Sequence, residues 1–406
     1  MKYAIWAIRF WYAGWMIPAG IEHFYHIYPQ PGYDTNLPLA HEMLFALLHS
    51  HLFDIVKAVE LLTGISVLLG FFTPVMLLAC MPVAFCVFWW DSPLQDWNPS
   101  PMIAGIRVLA SNVLLSVAFI GCFRGMFTWR AEPSGPVGRQ WVVVGRVVFG
   151  AWMLVNGANY FFFSLWQMPT GHEPLSIELM GSFLHTHLMD VAMLIELVTG
   201  ALILTGFIVP AALCIVMPVS TCALYWSLLE HQPLSLILGL VAFGLNGLLM
   251  LAYIGYYRGA LQARALTLGE SGTAMIWDTL FVNAKGRTSR DHFIGALIPL
   301  ALVVWFYARS GPNLYAPWDL IVLLFPAVVL HARRLHDMGH SGWLLLAPAV
   351  LTVAAMAIWA RLVSLGAQLD VAVPLAALVV FVAFALWGCV GKSQAESNAF
   401  GPSVTA

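Results

Sequence analysis

Two segments of the sequence carry the same ionisable side chains at the same spacing. Residues 48–64 read LHSHLFDIVKAVELLTG and residues 184–200 read LHTHLMDVAMLIELVTG, and nine of the seventeen positions are identical. Because lipid penalises charge, ionisable side chains inside apolar helices are by default the mark of a functional site. We therefore predict such a site at each segment. The shared residues are His49, His51, Asp54 and Glu60 in the first copy and His185, His187, Asp190 and Glu196 in the second.

The paired histidines suit metal binding or proton transfer, because imidazole is the commonest metal ligand and titrates near neutral pH. Two positions along an ideal helix correspond to roughly 200° of rotation. The two histidines of one copy therefore share a site only if the helix begins at or after residue 51, with HSH extended. The alternative is an interfacial role, with hydrogen bonds to headgroups or loop carbonyls. The residues predicted to hold haem iron or a transition metal are His49, His51, His185 and His187.

The cations near these carboxylates differ between the copies. In the first copy two carboxylates are matched by two cations, whereas the second copy has Met193 and Val241 at the cation positions. An unmatched charge at the bilayer centre costs about 2.5–3.5 kcal/mol on insertion scales. The carboxyls of the second copy must therefore be protonated, paired with histidine, bound to a cation, or reached from the other copy. The predicted acid–base residues are Glu60, Lys57, Arg107 and Asp54 in the first copy, with Glu196 and Asp190 in the second.

The first copy is accordingly predicted to be the reactive half, and the chemistry that fits it is quinone binding. A cation or an imidazole donates to one quinone carbonyl, and a carboxylate handles the proton. Within the helix, His49, Lys57 and Glu60 are predicted to share one face. The alternative is a structural ion network that holds four helices in register. The residues predicted to bind this cofactor are His23, His26, His49, His51 and Asn112.

The six cysteines form no CxxC pair, so neither a thiol relay nor a disulfide scaffold is indicated. Cys86 and Cys222 both follow a Met-Pro-Val triplet in equivalent places. With Met81 nearby, this arrangement suits a soft metal such as Cu(I). The alternative is that both are small packing residues.

Composition indicates an integral membrane protein. Of the 406 residues, 61% are hydrophobic and 9% charged, and the mean hydropathy is +0.83; soluble domains carry about 25% charged residues. The sequence predicts an all-α fold with twelve transmembrane helices, and nucleic-acid binding has no support. The predicted spans are 4–25, 50–70, 73–91, 102–123, 141–164, 186–206, 209–228, 233–256, 293–309, 317–332, 343–363 and 371–390.

The distribution of basic residues predicts the orientation. Lysine and arginine concentrate in the loops around 124–146, 258–290 and 333–334, whereas the loops around 26–48 and 165–185 contain neither. The positive-inside rule then places both termini in the cytoplasm and the histidine-rich loops on the outer side. The N-terminal segment lacks a cleavage site and is predicted to be the first membrane helix. A bacterial inner membrane is the expected location.

Three parts follow one another along the chain. Residues 1–130 and 140–264 are predicted to be four-helix repeats, which end alike in IGCFRG and IGYYRG. An even number of helices in each repeat makes the repeats parallel, related by an axis along the membrane normal. Residues 275–406 form an unrelated third part.

The repeats resemble the DoxX-like membrane family. The resemblance rests on the E-x-x-x-G element from Glu60 to Gly64 and from Glu196 to Gly200, on the following G-F-x-x-P turn, and on the helix plan. It covers about two thirds of the chain. It implies a four-helix bundle and a membrane subunit linked to quinone-coupled respiration, thiosulfate:quinone oxidation or oxidative-stress complexes.

The third part resembles the DUF805 family of small bacterial membrane proteins. GRTSRDHF, RRLHDMGHSGW and NAFGP occur in the family's order at 286–293, 333–343 and 398–402. This resemblance implies a fold and no activity. Arg287, Arg290 and Arg333 in these motifs are predicted to bind anionic lipid headgroups or a partner. The alternative is that they set the topology and hold the loop structure.

The leading functional prediction is a membrane subunit in quinone-linked redox chemistry, working with other membrane or periplasmic redox subunits in the lipid bilayer. No GxGxxG, P-loop, CxxCH or iron–sulfur spacing occurs, so a flavin or cluster would belong to a partner. The alternatives are a non-enzymatic accessory subunit and a copper-handling membrane protein.

Overall fold

The computed structural model describes residues 2–28, 37–268, 277–310, 316–365 and 379–404. Within these ranges the chain is α-helical, and β-structure is limited to one isolated bridge between Asn398 and Gly401. Nine of the described helices are long and apolar enough to cross a membrane. The prediction of an all-α, multi-pass membrane protein is therefore confirmed, and the lipid bilayer is its environment.

The first unit contains six helices: α1 (Lys2–Tyr25), α2 (Pro38–His49), α3 (Leu52–Leu69), α4 (Thr73–Asp91), α5 (Pro99–Ala118) and α6 (Ile120–Phe123). The second repeats their order: α7 (Arg139–Ala158), α8 (Pro174–His185), α9 (Leu188–Thr205), α10 (Val209–Leu229), α11 (Pro233–Ala252) and α12 (Ile254–Tyr257). The third part contains α13 (Arg290–Ser310), α14 (Ala316–Asp337), α15 (Leu346–Ser364) and α16 (Val379–Val390).

Two of the predicted spans, 4–25 and 50–70, correspond to α1 and α3. These two helices are not among the nine described helices that are long and apolar enough to cross a membrane. These are the two helices that carry most of the buried charge of the first unit. The predicted span 371–390 is described only from residue 379 onwards, where α16 begins.

The loops before α3 and α9 differ from the prediction. Each contains a further helix of twelve residues, α2 or α8, which begins with proline at its first turn. Twelve residues extend only about 18 Å, too short to cross a bilayer, so a search for spans passes over them. The plan of four helices per repeat is corrected to four long helices plus this short one and a final helical turn.

Left-handed backbone conformations set the helix ends. His51 and His187 both have φ 59° and separate the short helix from the long one that follows. At the other end Gly70 and Gly206 have φ 73° and 83°, a conformation that glycine adopts without steric cost. The HSH segment is therefore a tight turn between two helices: the long helix begins after residue 51, but the segment before it is not extended.

Small residues let the long helices of each unit approach closely. A Cβ on Gly64 would lie 2.8 Å from Ile17 Cγ1, and one on Gly200 would lie 2.4 Å from Leu154 N. Close backbone approach through glycine is typical of membrane helix pairs. The E-x-x-x-G element thus has a structural reason, because its glycine presses α3 against α1, and α9 against α7, one turn beyond the glutamate.

The third part packs against the first unit. The Trp277 indole donates to the Leu68 carbonyl over 2.9 Å, and the Arg9 guanidinium lies 3.8 Å from the centre of the Trp277 ring. Arg9 also donates to the Val67 carbonyl over 2.8 Å, which satisfies the last turn of α3. Helices α13 and α14 contact α1, where the Tyr307 hydroxyl donates to the Trp11 carbonyl.

Candidate functional site

The two units exchange contacts at the end of the bundle where α2 and α8 lie, here called the histidine end. His49 Nδ1 lies 2.9 Å from Glu178 Oε1, and His185 Nδ1 lies 2.8 Å from Glu42 Oε1. His185 and Glu178 lie 136 positions after His49 and Glu42, so the histidine of each unit contacts the glutamate of the other. Reciprocal contacts of this kind define an approximate two-fold axis between the units.

Backbone contacts follow the same rule at both ends. At the histidine end, the Trp89 indole donates to the Thr186 carbonyl over 2.9 Å, and the Tyr225 hydroxyl donates to the Ser50 carbonyl over 2.5 Å. At the opposite end, the amides of positions 72 and 208 donate to the carbonyls of 263 and 129 over 2.8 and 3.1 Å. The approximate axis therefore runs the length of the units.

The four histidines predicted to hold a metal are each paired with a carboxylate. His51 Nδ1 lies 3.0 Å from Asp54 Oδ2, and His187 Nδ1 lies 2.9 Å from Asp190 Oδ2. The other two face the opposite unit. Among the described residues, no group of three or more His, Cys, Asp and Glu side chains has the arrangement of a metal site. The structure does not bring the four histidines together, because the turn between the helices sends the two imidazoles of each copy to different partners.

The same turn separates residues that the helical projection placed together. His49 is the last residue of α2, whereas Lys57 and Glu60 lie on α3. Its imidazole is about half exposed and pairs across the axis, away from the interior of α3. The prediction that these three side chains share one face is therefore wrong for His49.

Asp54 is brought together with a histidine from α1. His23 Nε2 lies 2.6 Å from Asp54 Oδ1, so two imidazoles bracket this carboxylate. The equivalent Asp190 accepts a hydrogen bond from the Tyr160 hydroxyl in addition to its contact with His187. The two copies thus keep the aspartate and its local histidine but change the group that reaches it from the preceding long helix.

Lys57 and Glu60 form a buried ion pair. Lys57 Nζ donates to Glu60 Oε2 over 2.8 Å, and the side chains are only 12% and 4% exposed. In the second unit Met193 occupies the lysine position, and Glu196 Oε2 instead accepts from Asn156 Nδ2 over 2.5 Å. Of the alternatives left open for the second glutamate, pairing with a histidine is not observed, because both nearby histidines have other carboxylate partners.

Two further carboxyl groups act on the same lysine, and the sequence analysis missed both. Lys57 interacts electrostatically with Glu22 on α1 and with Asp91 at the end of α4. Glu22 is 2% exposed, and its Oε2 has no hydrogen-bond partner. The comparison of copies that singled out Lys57 would also have found them, because the equivalent positions hold Asn159 and Ser227.

Polar groups continue from the ion pair into the bundle. Asn112 Nδ2 donates to the Tyr12 hydroxyl over 2.9 Å, and that hydroxyl lies 3.5 Å from Cys80 Sγ. Asn112 Oδ1 is buried without a partner. The predicted Asn112 therefore lies inside the first unit, next to residues whose equivalents in the second unit are Phe149 and Val216.

Arg107 does not join this group. Its side chain is exposed, and its guanidinium lies 5.1 Å from the centre of the Phe306 ring on α13. Because α5 presents Arg107 to the third part, the four-residue charge balance predicted for the first copy is not formed. The carboxyls of Glu22, Glu60 and Asp91 instead face the ammonium of Lys57.

The repeated cysteines lie on α4 and α10. Cys86 is a free thiol that packs in an apolar cluster with Trp89 and Trp90, and Cys222 is also free. The indole of Trp90 donates to the Ala40 carbonyl over 3.0 Å, which fixes this cluster beneath α2. Packing accounts for Cys86 here without a ligand.

The motifs of the third part converge on one another. The buried Asp337 accepts from Arg287 over 3.0 Å and also from Arg334. The two guanidiniums further donate to backbone carbonyls of residues 388–396. Arg333 binds the carbonyls of residues 283–287 and the Thr288 hydroxyl. These arginines hold the chain's own loops, so of the two roles left open for them the structure favours the second; the exposed Arg290 alone remains accessible to lipid.

Comparison with known proteins adds one match. Residues 281–402 match a family model described as "Protein of unknown function (DUF805)". This match agrees with the resemblance of the third part and covers all three of its motifs. No curated protein and no solved structure matches the chain. The DoxX-like resemblance of the first two units stays a prediction.

Proposed function

We propose that the protein is a membrane subunit of quinone-linked redox chemistry, in which the first unit is the working half. The observation that carries this proposal is the buried Lys57–Glu60 pair beside Glu22, whose Oε2 lacks a partner. The second unit has the same helices with neutral residues at the lysine and Glu22 positions. A scaffold role alone gives no reason for this difference between the copies.

The residues of the first unit fit a quinone headgroup. The Lys57 ammonium can donate to a quinone carbonyl, and Glu60 or Glu22 can take up or release the hydroxyl proton at the same place. A bound quinone would supply the two-electron chemistry. The polypeptide would contribute orientation, charge and protons, and the electrons would come from a partner subunit.

The observed histidine geometry does not fit a resident metal. Each of the four predicted ligands already has a carboxylate partner, and the four rings do not converge. Iron or copper at these residues therefore has no part in the proposed chemistry. The copper-handling alternative rests only on Cys86 and its equivalent.

The proposed location is the bacterial inner membrane, with the histidine end outward and both termini in the cytoplasm. The support is the absence of Lys and Arg from the loops that precede α2 and α8, compared with the basic loops at the other end. Cysteine accessibility labelling of single exposed positions in intact cells tests this orientation directly.

The test of function is quinone binding by the purified full-length protein. We expect lipid extraction to yield near-stoichiometric quinone from the wild type, and much less from Lys57→Met, which copies the second unit. Glu196→Gln in the second unit is the matched control and should retain the quinone. A wild type that neither carries quinone nor binds an added short-chain quinone would refute the proposal.

A second candidate is an accessory subunit whose role is to hold a complex together. The reciprocal hydrogen bonds between units and the converging motifs at Asp337 favour it, because they occupy many of the polar residues structurally. It is distinguished by Lys57→Met, which an accessory role tolerates as long as the complex assembles.

A further inference from the structure

The charges around Lys57 do not balance. Glu22, Glu60 and Asp91 all interact with this lysine. Of the described groups that act on Glu22, the lysine is the only permanent cation, and His23 and His26 complete the set. Three ionised carboxyls against one ammonium leave two negative charges in a largely buried place. Burying an uncompensated carboxylate is so costly that such a group takes up a proton instead.

Glu22 is the carboxyl best placed to exchange that proton. It lies three residues before the end of α1 and is 2% exposed. Its Oε1 lies 3.8 Å from His26 Nδ1, while the imidazole of His26 is 79% exposed. The ammonium of Lys57 also acts on this carboxyl. The exposed imidazole of His26 therefore connects a buried carboxyl to water.

We propose that Glu22 is a proton-binding site, loaded from the histidine end through His26. The proton leaves Nδ1 of the protonated imidazole and bonds to Glu22 Oε1, and the neutral imidazole regains a proton from water. The 3.8 Å gap is closed by rotation of the exposed ring or by one bridging water. This inference deepens the proposed function, since it names the group that would exchange protons in the first unit.

The backbone at His26 favours such a role. His26 ends α1 in a left-handed conformation with φ 48°, and its amide donates to the Glu22 carbonyl over 2.6 Å. A residue other than glycine in this region carries strain, which is concentrated at functional sites. The conformation keeps the imidazole beside the carboxyl while leaving it open to water.

The second unit provides an internal comparison. The positions equivalent to Glu22 and His26 hold Asn159 and Phe163, neither of which binds a proton at neutral pH. The Asn159 amide is engaged by its own loop, accepting from the Leu165 amide over 2.6 Å and donating to the Trp166 carbonyl over 2.9 Å. Proton loading through this pair of positions is therefore assigned to the first unit.

Infrared difference spectroscopy of the full-length protein in lipid vesicles tests the site without any quinone. A protonated carboxyl has a C=O band separate from that of a carboxylate. We expect a pH-dependent protonated band in the wild type that Glu22→Gln removes. Glu42→Gln, at a partly exposed carboxylate of the same unit that pairs with His185, is the control and should leave the band unchanged. A band that survives Glu22→Gln, or one that follows sodium concentration at constant pH, would overturn the proposal.

The relay through His26 has its own readout. His26→Gln should keep the Glu22 band at equilibrium but slow its response to a pH jump, by roughly 100-fold if the imidazole is the main carrier. His41→Gln, at an exposed histidine on α2, should not slow it. An unchanged rate in His26→Gln refutes the relay. If the wild-type protein binds no quinone but its Glu22 band and the response to pH are intact, only the proposed function is refuted. The two failures are therefore distinguishable.

Discussion

The two units bury the same glutamate and give it different partners. Glu60 in the first unit is held by the Lys57 ammonium, whereas Glu196 in the second is held by the Asn156 amide. The helices around them are equivalent, and the approximate two-fold axis relates their outer contacts. The difference shows that the scaffold has stayed symmetric while the interior of one unit became charged.

The asymmetry is reversed at the histidine end. There the second unit buries Glu230, whose carboxylate accepts from the Ser176 hydroxyl and pairs with His172. The equivalent of this glutamate in the first unit is Leu94, which packs with Ala40 and Met43 in an apolar cluster. The second unit therefore buries a carboxylate at a position where the first unit is apolar.

The largest expected effect comes from breaking the ion pair of the first unit. Lys57→Met leaves the buried Glu60 carboxylate without its cation, and we expect a loss of about 3–5 kcal/mol in the free energy of unfolding. The double variant Lys57→Met/Glu60→Gln should recover part of it, because Glu60 is then no longer an uncompensated carboxylate. Reversible unfolding in mixed micelles measures both. Additive losses in the double variant would show that the two side chains are not coupled.

The second prediction introduces the ion pair of the first unit into the second unit. Met193→Lys places an ammonium three residues before Glu196, in the spacing that Lys57 and Glu60 use. We expect this variant to stay within about 1 kcal/mol of the wild type, since the new charge finds a partner. Met193→Lys/Glu196→Gln removes that partner and should lose roughly 3 kcal/mol. Equal stability of the two variants would mean that the second unit cannot accommodate the pair.

The third prediction concerns pH at the polar site of the second unit. Burial raises the pKa of Glu230, but hydrogen bonds from the Ser176 hydroxyl and from the amide and ring of His172 outweigh it and leave the pKa below its ordinary value. A depressed pKa contributes stability that is present above the unfolded value, about 4.3 for glutamate, and is lost as the pH falls through the folded value. Glu230→Gln should therefore cost about 1–2 kcal/mol at pH 7.

Acid titration of unfolding for wild type and variant checks this prediction. The two curves should converge as the pH falls through the lowered pKa of Glu230. The matched control is Glu132→Gln, at an exposed position in the joint between the units. A stability difference that is constant from neutral to acid pH would rule out a contribution from the ionised carboxylate.

The smallest effect is expected at the reciprocal contacts. Glu42→Gln and Glu178→Gln each remove one half-exposed partner of a histidine across the axis. Such pairs contribute about 0.2–1 kcal/mol, and the axis predicts that the two variants lose the same amount. Unfolding measurements on both variants test this equivalence. Clearly unequal losses would show that the symmetry of the contacts does not extend to their energetics.

Part of the site was predictable because it depends on residue type and internal repetition. The comparison of copies identified Lys57 as present only in the first unit, and charge spacing along the helix predicted its pairing with Glu60. The same comparison misplaced Arg107, because the direction of an arginine side chain on a bundle depends on the neighbouring domain. It also left out Glu22, whose position near Lys57 is a contact between helices distant in sequence.

The sequence by itself determined the membrane-spanning class, because apolar runs of bilayer length follow from composition along one dimension. It also indicated the resemblance of the third part, which a family model matches over residues 281–402. Only the tertiary structure decided where the histidines point. Two left-handed residues, His51 and His187, turn the chain between helices and send neighbouring imidazoles to opposite units. The physical reason is that the spacing of apolar residues specifies which face of a helix is apolar. Pairing of side chains across the axis depends instead on how helices far apart in sequence meet.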